Sequence, residues 1–245
     1  MSHDGFLGGR LVLRQPRRGY RAATDAVFLA AAVPAREGDR VLELGCGAGV
    51  ALACLAARVP GLRLAGLELQ PAYAALAREN LTANAIEAVI LEGDLERMPA
   101  PFRACAFDHV LANPPYFPPG SGPAARDPGR EAAQREATPL ASWIAQAMKR
   151  VRPGGWLTMI QAADRLPEML RALPAAAGSV AVLPLAARPG RPAGRVILQA
   201  RQGGRAPFRL LAPFVVHGAA RHLGDAEDLS AEARAVLRGG AALGL

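Results

Sequence analysis

The stretch RVLELGCGAGVALACLAARVP, Arg40–Pro60, decides the fold. It begins with an apolar run of strand length, Arg40–Gly45, and continues into a helical pattern over Ala48–Pro60. Three glycines lie at the junction: Gly45, Gly47 and Gly49. They allow the backbone to turn tightly from the strand into the helix. This order predicts the first strand and helix of an open parallel sheet.

The same alternation continues along the chain. The helices are predicted at Pro71–Asn84 and Pro139–Val151, the second with Thr138 as its cap. The further strands are predicted at Leu62–Leu69, Ala88–Asp94, Phe107–Asn113, Trp156–Ala162, Ser179–Ala187 and Arg195–Gln202. With the first strand this makes a seven-stranded, mostly parallel α/β sheet with helices on both faces.

Composition describes a single globular domain. The chain has 245 residues and a mass of 25.6 kDa, and about half of its residues are apolar. The net charge is +8 and the pI about 10.6, which favours a polyanionic partner. All basic residues except Lys149 are arginines. A GC-rich genome would explain that choice of residue, but not the excess of positive charge.

Arginines crowd two segments of the chain. The two groups are Arg10, Arg14, Arg17, Arg18 and Arg21, and Arg188, Arg191, Arg195, Arg201, Arg205 and Arg209. If both groups lie on one face, they form a track for RNA phosphates, whereas scattered solvated arginines would not. A track predicts binding that falls steeply with salt.

Several classes of protein are disfavoured. The three cysteines lack CxxC spacing and the four histidines do not cluster, so neither a disulfide framework nor a metal site is expected. The N-terminal residues lack the apolar core of a signal peptide. The longest apolar run, Ala26–Ala35, is too short to span a bilayer. We therefore expect a cytoplasmic protein without a membrane partner.

Ligands of such sheets bind at the carboxyl ends of the strands. Glu68 follows the glycine turn by about 20 residues, where a carboxylate accepts hydrogen bonds from ribose. Asp94 and Leu95 end the third strand, where they can contact an adenine. Taken singly, Glu68 could be a solvated carboxylate and Asp94 part of a turn. The position three residues beyond Gly47 is Val50, so the spacing fits a dinucleotide poorly.

The fourth strand runs into ANPPYFPPG, Ala112–Gly120. Proline cannot donate to a sheet, so the strand stops and the loop is stiff. Asn-Pro alone would indicate only a strand terminator. Here the Asn-Pro-Pro-Tyr motif is the last of an ordered set, after the glycine turn, the acid placed for ribose and the acid placed for adenine. This order indicates a functional site and not only a strand terminator.

With these motifs the chain resembles the class I S-adenosylmethionine-dependent methyltransferases. Within them it is most similar to the NPPY enzymes that act on planar amino nitrogens, in particular the bacterial tRNA adenine-N6 methyltransferases of position 37 in a valine tRNA. The matching stretches run from about Phe6 to His217 and include VLELGCGAGV, GLELQP, NPPYF, RPGGWLTMI and GRPAGRVILQARQGGRAPFRLL. Ala23 stands where the family pattern has glycine, and GAARHLGDAEDL after His217 departs from it.

The resemblance implies a Rossmann-like fold, S-adenosylmethionine as cofactor and RNA, in particular tRNA, as partner. Residues 1–36 would fold over the cofactor pocket of a methyltransferase domain formed by residues 37–245. The implied cofactor-binding residues are Tyr20, Thr24, Asp25, Glu43, Gly45, Cys46, Gly47, Glu68, Leu69, Asp94, Leu95 and Asn113. Thr24 or Asp25 could instead cap a helix.

The implied catalytic residues are Asn113, Pro114, Pro115 and Tyr116. The amide oxygen of Asn113 and the carbonyl of Pro114 would accept both hydrogens of an adenine amine, and Tyr116 would offer a flat face to the base. Phe117 is either a second stacking surface or a core anchor.

Four alternatives stay open. A glutamine methyltransferase of release factors uses the same amide chemistry, but its family has a helical N-terminal domain and residues 1–36 leave little room for one. A DNA adenine methyltransferase usually has an added recognition domain, and the sequence offers only the loop Pro118–Ala137 in its place. The composition of this loop is that of a mobile lid. A catalytically silent RNA-binding protein would not need both the glycine turn and the Asn-Pro-Pro-Tyr motif. A nicotinamide oxidoreductase conflicts with the glycine spacing.

Overall fold

The computed structural model describes residues 1–116, 138–219 and 228–245. The strands are β1 (Ser2–Phe6), β2 (Leu11–Gln15), β3 (Arg40–Leu44), β4 (Arg63–Glu68), β5 (Ala88–Glu92), β6 (Phe107–Ala112), β7 (Val151–Ala162), β8 (Ala177–Ala186), β9 (Ala193–Gln202), β10 (Arg209–Leu210) and β11 (Phe214–Val215). The helices are α1 (Thr24–Ala32), α2 (Val50–Arg58), α3 (Pro71–Ala83), α4 (Ala100–Arg103), α5 (Leu140–Arg150), α6 (Leu166–Ala172) and α7 (Ala231–Leu237). Three short 3₁₀ helices lie at Leu7–Gly9, Leu95–Arg97 and Ala163–Arg165.

The central sheet has the order β10-β8-β9-β7-β6-β3-β4-β5. Neighbouring strands from β7 to β5 run parallel, and β9 is antiparallel to both β7 and β8. The strand order reverses between β3 and β6, so their carboxyl ends form the crevice in which such sheets bind ligands. The predicted seven-stranded, mostly parallel sheet is confirmed, with β10 and β11 as short additions beside β8.

The N-terminal residues form an element that the sequence did not predict. β1 and β2 pair as an antiparallel hairpin outside the central sheet. The hairpin is attached to α3 through side-chain amides, because Asn80 accepts from the backbone N–H of Arg14 at 2.8 Å and Asn84 from that of Val12 at 3.2 Å.

Each face of the sheet carries a hydrophobic core. One core joins α1, α2 and α3 to the sheet, and the longest apolar run of the sequence is buried there as α1. The other core contains Leu140, Ile144 and Met148 of α5. Pro139, not Thr138, is the cap residue of α5, so the predicted start of that helix was wrong by one residue. In the described ranges no helix has the length and apolar character needed to cross a membrane.

The residues after His217 that the structure describes return to the start of the chain. Ser230 caps α7 by accepting from the N–H of Ala233 at 3.0 Å. Arg10 donates to the carbonyl of Gly239 at 2.6 Å, and the N–H of Leu243 to that of Ala31 at 2.8 Å. The tail therefore closes one core against α1.

Candidate active site

A solvent-open cleft lies at the carboxyl ends of β3, β4, β5 and β6. Most of the predicted site residues line it: Tyr20, Glu43, Gly45, Cys46, Gly47, Glu68, Leu69, Asp94, Leu95, Asn113 and Pro115. Thr24, Asp25, Pro114 and Tyr116 are not among the residues that line it. The cleft thus joins the four motifs that the sequence places at successive strand ends.

The glycine turn forms the floor of the cleft. Gly45, Gly47 and Gly49 all have positive φ, at 68°, 54° and 81°. A β-carbon on Gly45 would lie 2.7 Å from the Cη2 atom of Trp143, so the indole ring packs directly on the turn. Trp143 of α5 also lines the cleft, a place that no motif of the sequence predicted for it.

Two buried glutamates stand beside this turn. Glu68 accepts from the backbone N–H groups of Gly47 and Gln70, both at 2.8 Å, and is only 6% exposed. It is therefore not a solvated carboxylate. Within the described residues, Oε2 of Glu43 is buried without a hydrogen-bond partner. Burial raises the pKa of Glu68, and it raises the pKa of Glu43 well above its ordinary value.

The adenine-side residues combine a turn with a lining role. Asp94 accepts from the N–H of Glu96 at 2.9 Å and caps the 3₁₀ helix at Leu95–Arg97. The turn interpretation of Asp94 is thus correct, yet Asp94 and Leu95 also line the cleft. Leu69 faces the opening and is 58% exposed.

The Asn-Pro-Pro-Tyr loop is held by the next strand of the sheet. Gln161 at the end of β7 is buried, and its amide donates to the carbonyls of Pro115 at 3.1 Å and Pro114 at 3.4 Å. Arg165 donates to the carbonyl of Tyr116 at 3.3 Å. Prolines have no N–H to offer in a ladder, so these side chains fix the loop from the carbonyl side. The only sequence signal for Gln161 was a polar residue at the end of an apolar strand.

Tyr116 turns away from the cleft towards α1 and β9. Its hydroxyl oxygen lies 2.7 Å from Oδ2 of Asp25 and 2.8 Å from Oδ1 of Asn113. The Arg195 guanidinium lies 4.4 Å from the centre of the Tyr116 ring and donates to Asp25 at 3.2 Å. Burial, and next the charge of Asp25, raise the pKa of Tyr116. One face of the ring expected to receive a base therefore carries a guanidinium.

Neither Thr24 nor Asp25 is the cap residue of a helix, the alternative role that the sequence left open for them. α1 begins at Thr24 and its cap residue is Ala23, whose methyl side chain offers no acceptor. Asp25 instead contacts Tyr116 and Arg195, which are 91 and 170 residues away in the chain. Asn113 reaches back to the same segment, since its Nδ2 lies 3.4 Å from the hydroxyl of Tyr20.

The arginines of the second group do not share one face. Arg195 pairs with Ala162 at the carboxyl end of β7, on the side of the cleft, whereas Arg201 pairs with Trp156. Arg205 precedes Ala206, whose N–H donates to Ser179 near the start of β8. The condition for a single track, that both groups share one face, is therefore not met by Arg201 and Arg205. Phe117 and the loop Pro118–Ala137 lie outside the described residues.

Comparison with known proteins gives a family and a fold. Residues 22–183 match the family described as "Methyltransferase small domain". The tRNA1(Val) (adenine(37)-N6)-methyltransferase of Yersinia pestis is 33% identical over 133 residues, which are 53% of this chain and 52% of the relative. The chain spans about half the length of the curated relatives it matches.

Solved structures agree on the architecture. A crystal structure described as a "predicted O-methyltransferase" from Agrobacterium tumefaciens has a TM-score of 0.73 and 25% identity, covering 90% of this chain and 99% of that one. An S-adenosylmethionine-dependent O-methyltransferase from Thermotoga maritima has a TM-score of 0.54 and 18% identity, covering 78% and 69%. The second likeness concerns the fold alone.

Proposed function

The chain belongs to the methyltransferase small domain family, and on that premise we propose that it transfers a methyl group from S-adenosylmethionine to the exocyclic N6 amine of an adenine in RNA, with tRNA as the substrate. One observation carries the proposal: Asn113 and Pro115 of the Asn-Pro-Pro-Tyr loop line the same cleft as the glycine turn. A group specialised in handling a planar amine thus faces the place where a cofactor of this fold binds.

The cleft suits S-adenosylmethionine. The unpaired Oε2 of Glu43 beside the glycine turn suits the ammonium of the methionine end, because a buried carboxylate without a partner gains most from a cation. Glu68 keeps lone pairs for ribose hydroxyls, and Leu69, Asp94 and Leu95 offer apolar contact and an acceptor to adenine. The bound cofactor supplies an electrophilic methyl group on its sulfonium. We place residues 1–36, which contribute Tyr20 and Ala22 to the lining, as its cover.

The chemistry of the loop follows from the nature of the nucleophile. The lone pair of an adenine amine is delocalised into the ring, so the amine is a poor nucleophile. Two acceptors, the amide oxygen of Asn113 and the carbonyl of Pro114, bind its hydrogens and orient its lone pair. The prolines and Gln161 hold the Pro114 carbonyl before the substrate arrives, so little reorganisation of this acceptor is needed during reaction. The methylated amine is acidic and loses its proton to water, so the reaction needs no strong base.

Support for tRNA as the substrate comes from the relative and from charge. The Yersinia pestis relative is named for adenine 37 of a valine tRNA. A net charge of +8 raises the local concentration of a polyanion. A tRNA substrate places the reaction in the cytoplasm.

The test is transfer of labelled methyl from S-adenosylmethionine to bulk tRNA, to DNA and to a release factor, followed by nucleoside or amino-acid analysis. We expect label as N6-methyladenosine in tRNA. Label on glutamine of the release factor, or in DNA, would reassign the substrate. Cofactor binding without any transfer would favour an RNA-binding protein.

Asn113→Ala tests the role of the loop. It should lower the transfer rate about 100- to 1,000-fold, the usual effect of removing one preorganised polar group. Cofactor affinity measured by calorimetry should hardly change. Asn84→Ala is the control, because it removes the same type of side chain from the contact with the hairpin, and it should keep the rate of methyl transfer. Joint loss of cofactor binding and transfer in Asn113→Ala would contradict the assigned role.

A further inference from the structure

The side chains of Asp25 and Asn113 are joined through the hydroxyl of Tyr116, beside the cleft that Asn113 lines. The hydroxyl oxygen of Tyr116 lies in the middle, 2.7 Å from Oδ2 of Asp25 and 2.8 Å from the amide of Asn113. Both distances are those of O–H···O hydrogen bonds. Asp25, Tyr116 and Asn113 therefore act as one connected group.

This group has too few hydrogens for both contacts. A tyrosine hydroxyl carries one hydrogen, and neither a carboxylate nor an amide oxygen carries any. The hydroxyl hydrogen can serve Asp25 or Asn113, but not both. The carboxylate is the stronger acceptor, since hydrogen bonds to an ionised group are shorter and stronger than neutral ones. The hydrogen therefore points to Asp25.

The second contact then decides the orientation of the Asn113 amide. The two ends of an amide have nearly the same shape, so the hydrogen-bond network determines which end is which. With the Tyr116 hydrogen on Asp25, the 2.8 Å contact is satisfied when the Asn113 NH₂ donates to the Tyr116 oxygen. The amide oxygen then lies on the Tyr20 side, 3.4 Å from a hydroxyl that can donate to it. The hydroxyl hydrogens of Tyr116 and Tyr20 and one hydrogen of the Asn113 amide then each serve one acceptor.

We propose that Asp25 is a positioning residue, which takes the Tyr116 hydrogen and thereby turns the amide oxygen of Asn113 towards the cleft. The inference rests on the proposed function, because an amine nucleophile needs an acceptor there. Tyr20 lines the cleft, so the end of the amide facing it is the end that a substrate meets. Arg195 donates to the same Asp25 oxygen at 3.2 Å and keeps it in place.

Removal of the Asp25 carboxylate should reverse the orientation of the Asn113 amide. In Asp25→Leu, which keeps the branched shape of the side chain but offers no acceptor, the Tyr116 hydrogen is left with Asn113 alone. The amide oxygen then turns to Tyr116 and the NH₂ group faces the cleft. We expect kcat for methyl transfer to fall about tenfold or more, with the cofactor Kd unchanged. Asp25→Asn retains an oxygen at this position and should stay within about threefold of the wild type.

Asp108→Leu is the matched control. Asp108 is also a partly buried carboxylate paired with an arginine, Arg152, and it accepts from the N–H of Arg40 at 2.8 Å. It lies at the start of β6, at the end of the sheet opposite the cleft. Its loss should lower the melting temperature without lowering kcat. Equal kcat in Asp25→Leu and Asp108→Leu would overturn the inference.

A double variant separates orientation from packing. Tyr116→Phe removes the hydrogen that does harm in Asp25→Leu, so Asp25→Leu/Tyr116→Phe should match Tyr116→Phe and be faster than Asp25→Leu alone. A double variant slower than both single variants would show two independent effects and contradict the proposal.

A second measurement needs no substrate. In protein labelled with ¹⁵N-asparagine, the Asn113 side-chain resonance is assigned by its loss in Asn113→Ala. One NH₂ proton should be shifted downfield in the wild type and Asp25→Asn, and not in Asp25→Leu or Tyr116→Phe. An unchanged Asn113 signal in Asp25→Leu would overturn the inference. A wild type that shows the expected signals but transfers no methyl to tRNA would instead contradict the proposed function.

Discussion

Glu43 carries a carboxyl group in surroundings that oppose its charge. It is 3% exposed, and burial, more than the nearby Glu68, raises its pKa. A site that binds a cationic ligand gains affinity from such a group, and the free protein loses stability by keeping it charged. The same side chain therefore has opposite effects on stability and on function.

The pH dependence of the melting temperature of Glu43→Gln tests these opposite effects of Glu43. The folded chain holds the Glu43 proton more tightly than the unfolded chain, so the wild type is favoured at low pH and loses stability as pH rises above the ordinary carboxyl range. Gln does not ionise, so the melting temperature of the variant should gain on that of the wild type as pH increases. A chain of this length gains about 2–4 °C per kcal/mol.

The exposed Glu79 supplies the control. Its side chain is 57% exposed in its pair with Arg14, so Glu79→Gln should change the melting temperature only slightly. Glu43→Gln should also weaken binding of S-adenosylmethionine in calorimetry. A melting temperature that falls behind the wild type as pH rises would contradict the assigned burial of charge.

Seven strands of the central sheet were predictable because each one is an apolar run between turn residues, whereas β10 and β11 have only two residues each and were not predicted. Glu68 and Asp94 were predictable for the same reason, since Glu68 is the last residue of β4 and Asp94 follows the end of β5 by two residues. The hairpin β1–β2 was missed: Leu11, Leu13 and Gln15 face inward in alternation, but Gln15 breaks the apolar pattern. It is buried against Asp4 and the backbone of Ala22, contacts that no local pattern contains.

The partners of the Asn-Pro-Pro-Tyr loop could not be predicted in this way. Gln161 lies 46 and 47 residues from the carbonyls it holds, and Arg195 is 170 residues from Asp25. A single sequence, taken by itself, gives no information on contacts across such separations. The motif itself was found because its four residues are consecutive.

The end of β7 supports the loop, and Gln161→Leu tests this support. The variant keeps the volume but leaves two carbonyls of the loop without their donor, which should lower the free energy of unfolding by about 1–3 kcal/mol. It should also lower kcat more than cofactor affinity, because the acceptor of Pro114 loses its fixed position.

Gln199→Leu is the matched control on β9. Gln199 is also buried, and it donates to the carbonyl of Ala32 at the end of α1. Its loss should cost comparable stability, measured by urea unfolding, with little change in kcat. If both variants lowered kcat equally, the effect would belong to general loosening of the sheet and not to the loop.

The distribution of charge over the molecule determines where a polyanion can bind. Arg18 is exposed two residues before Tyr20, and Arg191 is exposed in the turn between β8 and β9, so both lie at the carboxyl end of the sheet. Arg205 and Arg209 are equally exposed, but they lie along the start and middle of β8. Substrate contacts should depend on the first pair only.

Two double variants of equal charge test this dependence. Arg18→Gln/Arg191→Gln should weaken tRNA binding and reduce the slope of log K against log salt by about one to two units, because each lost phosphate contact removes about 0.7–0.9. Arg205→Gln/Arg209→Gln removes the same charge and should change neither by more than the general effect of net charge. Filter binding over a series of salt concentrations measures both quantities. Equal slopes in the two variants would mean that tRNA is attracted by total charge and not by the surface around the cleft.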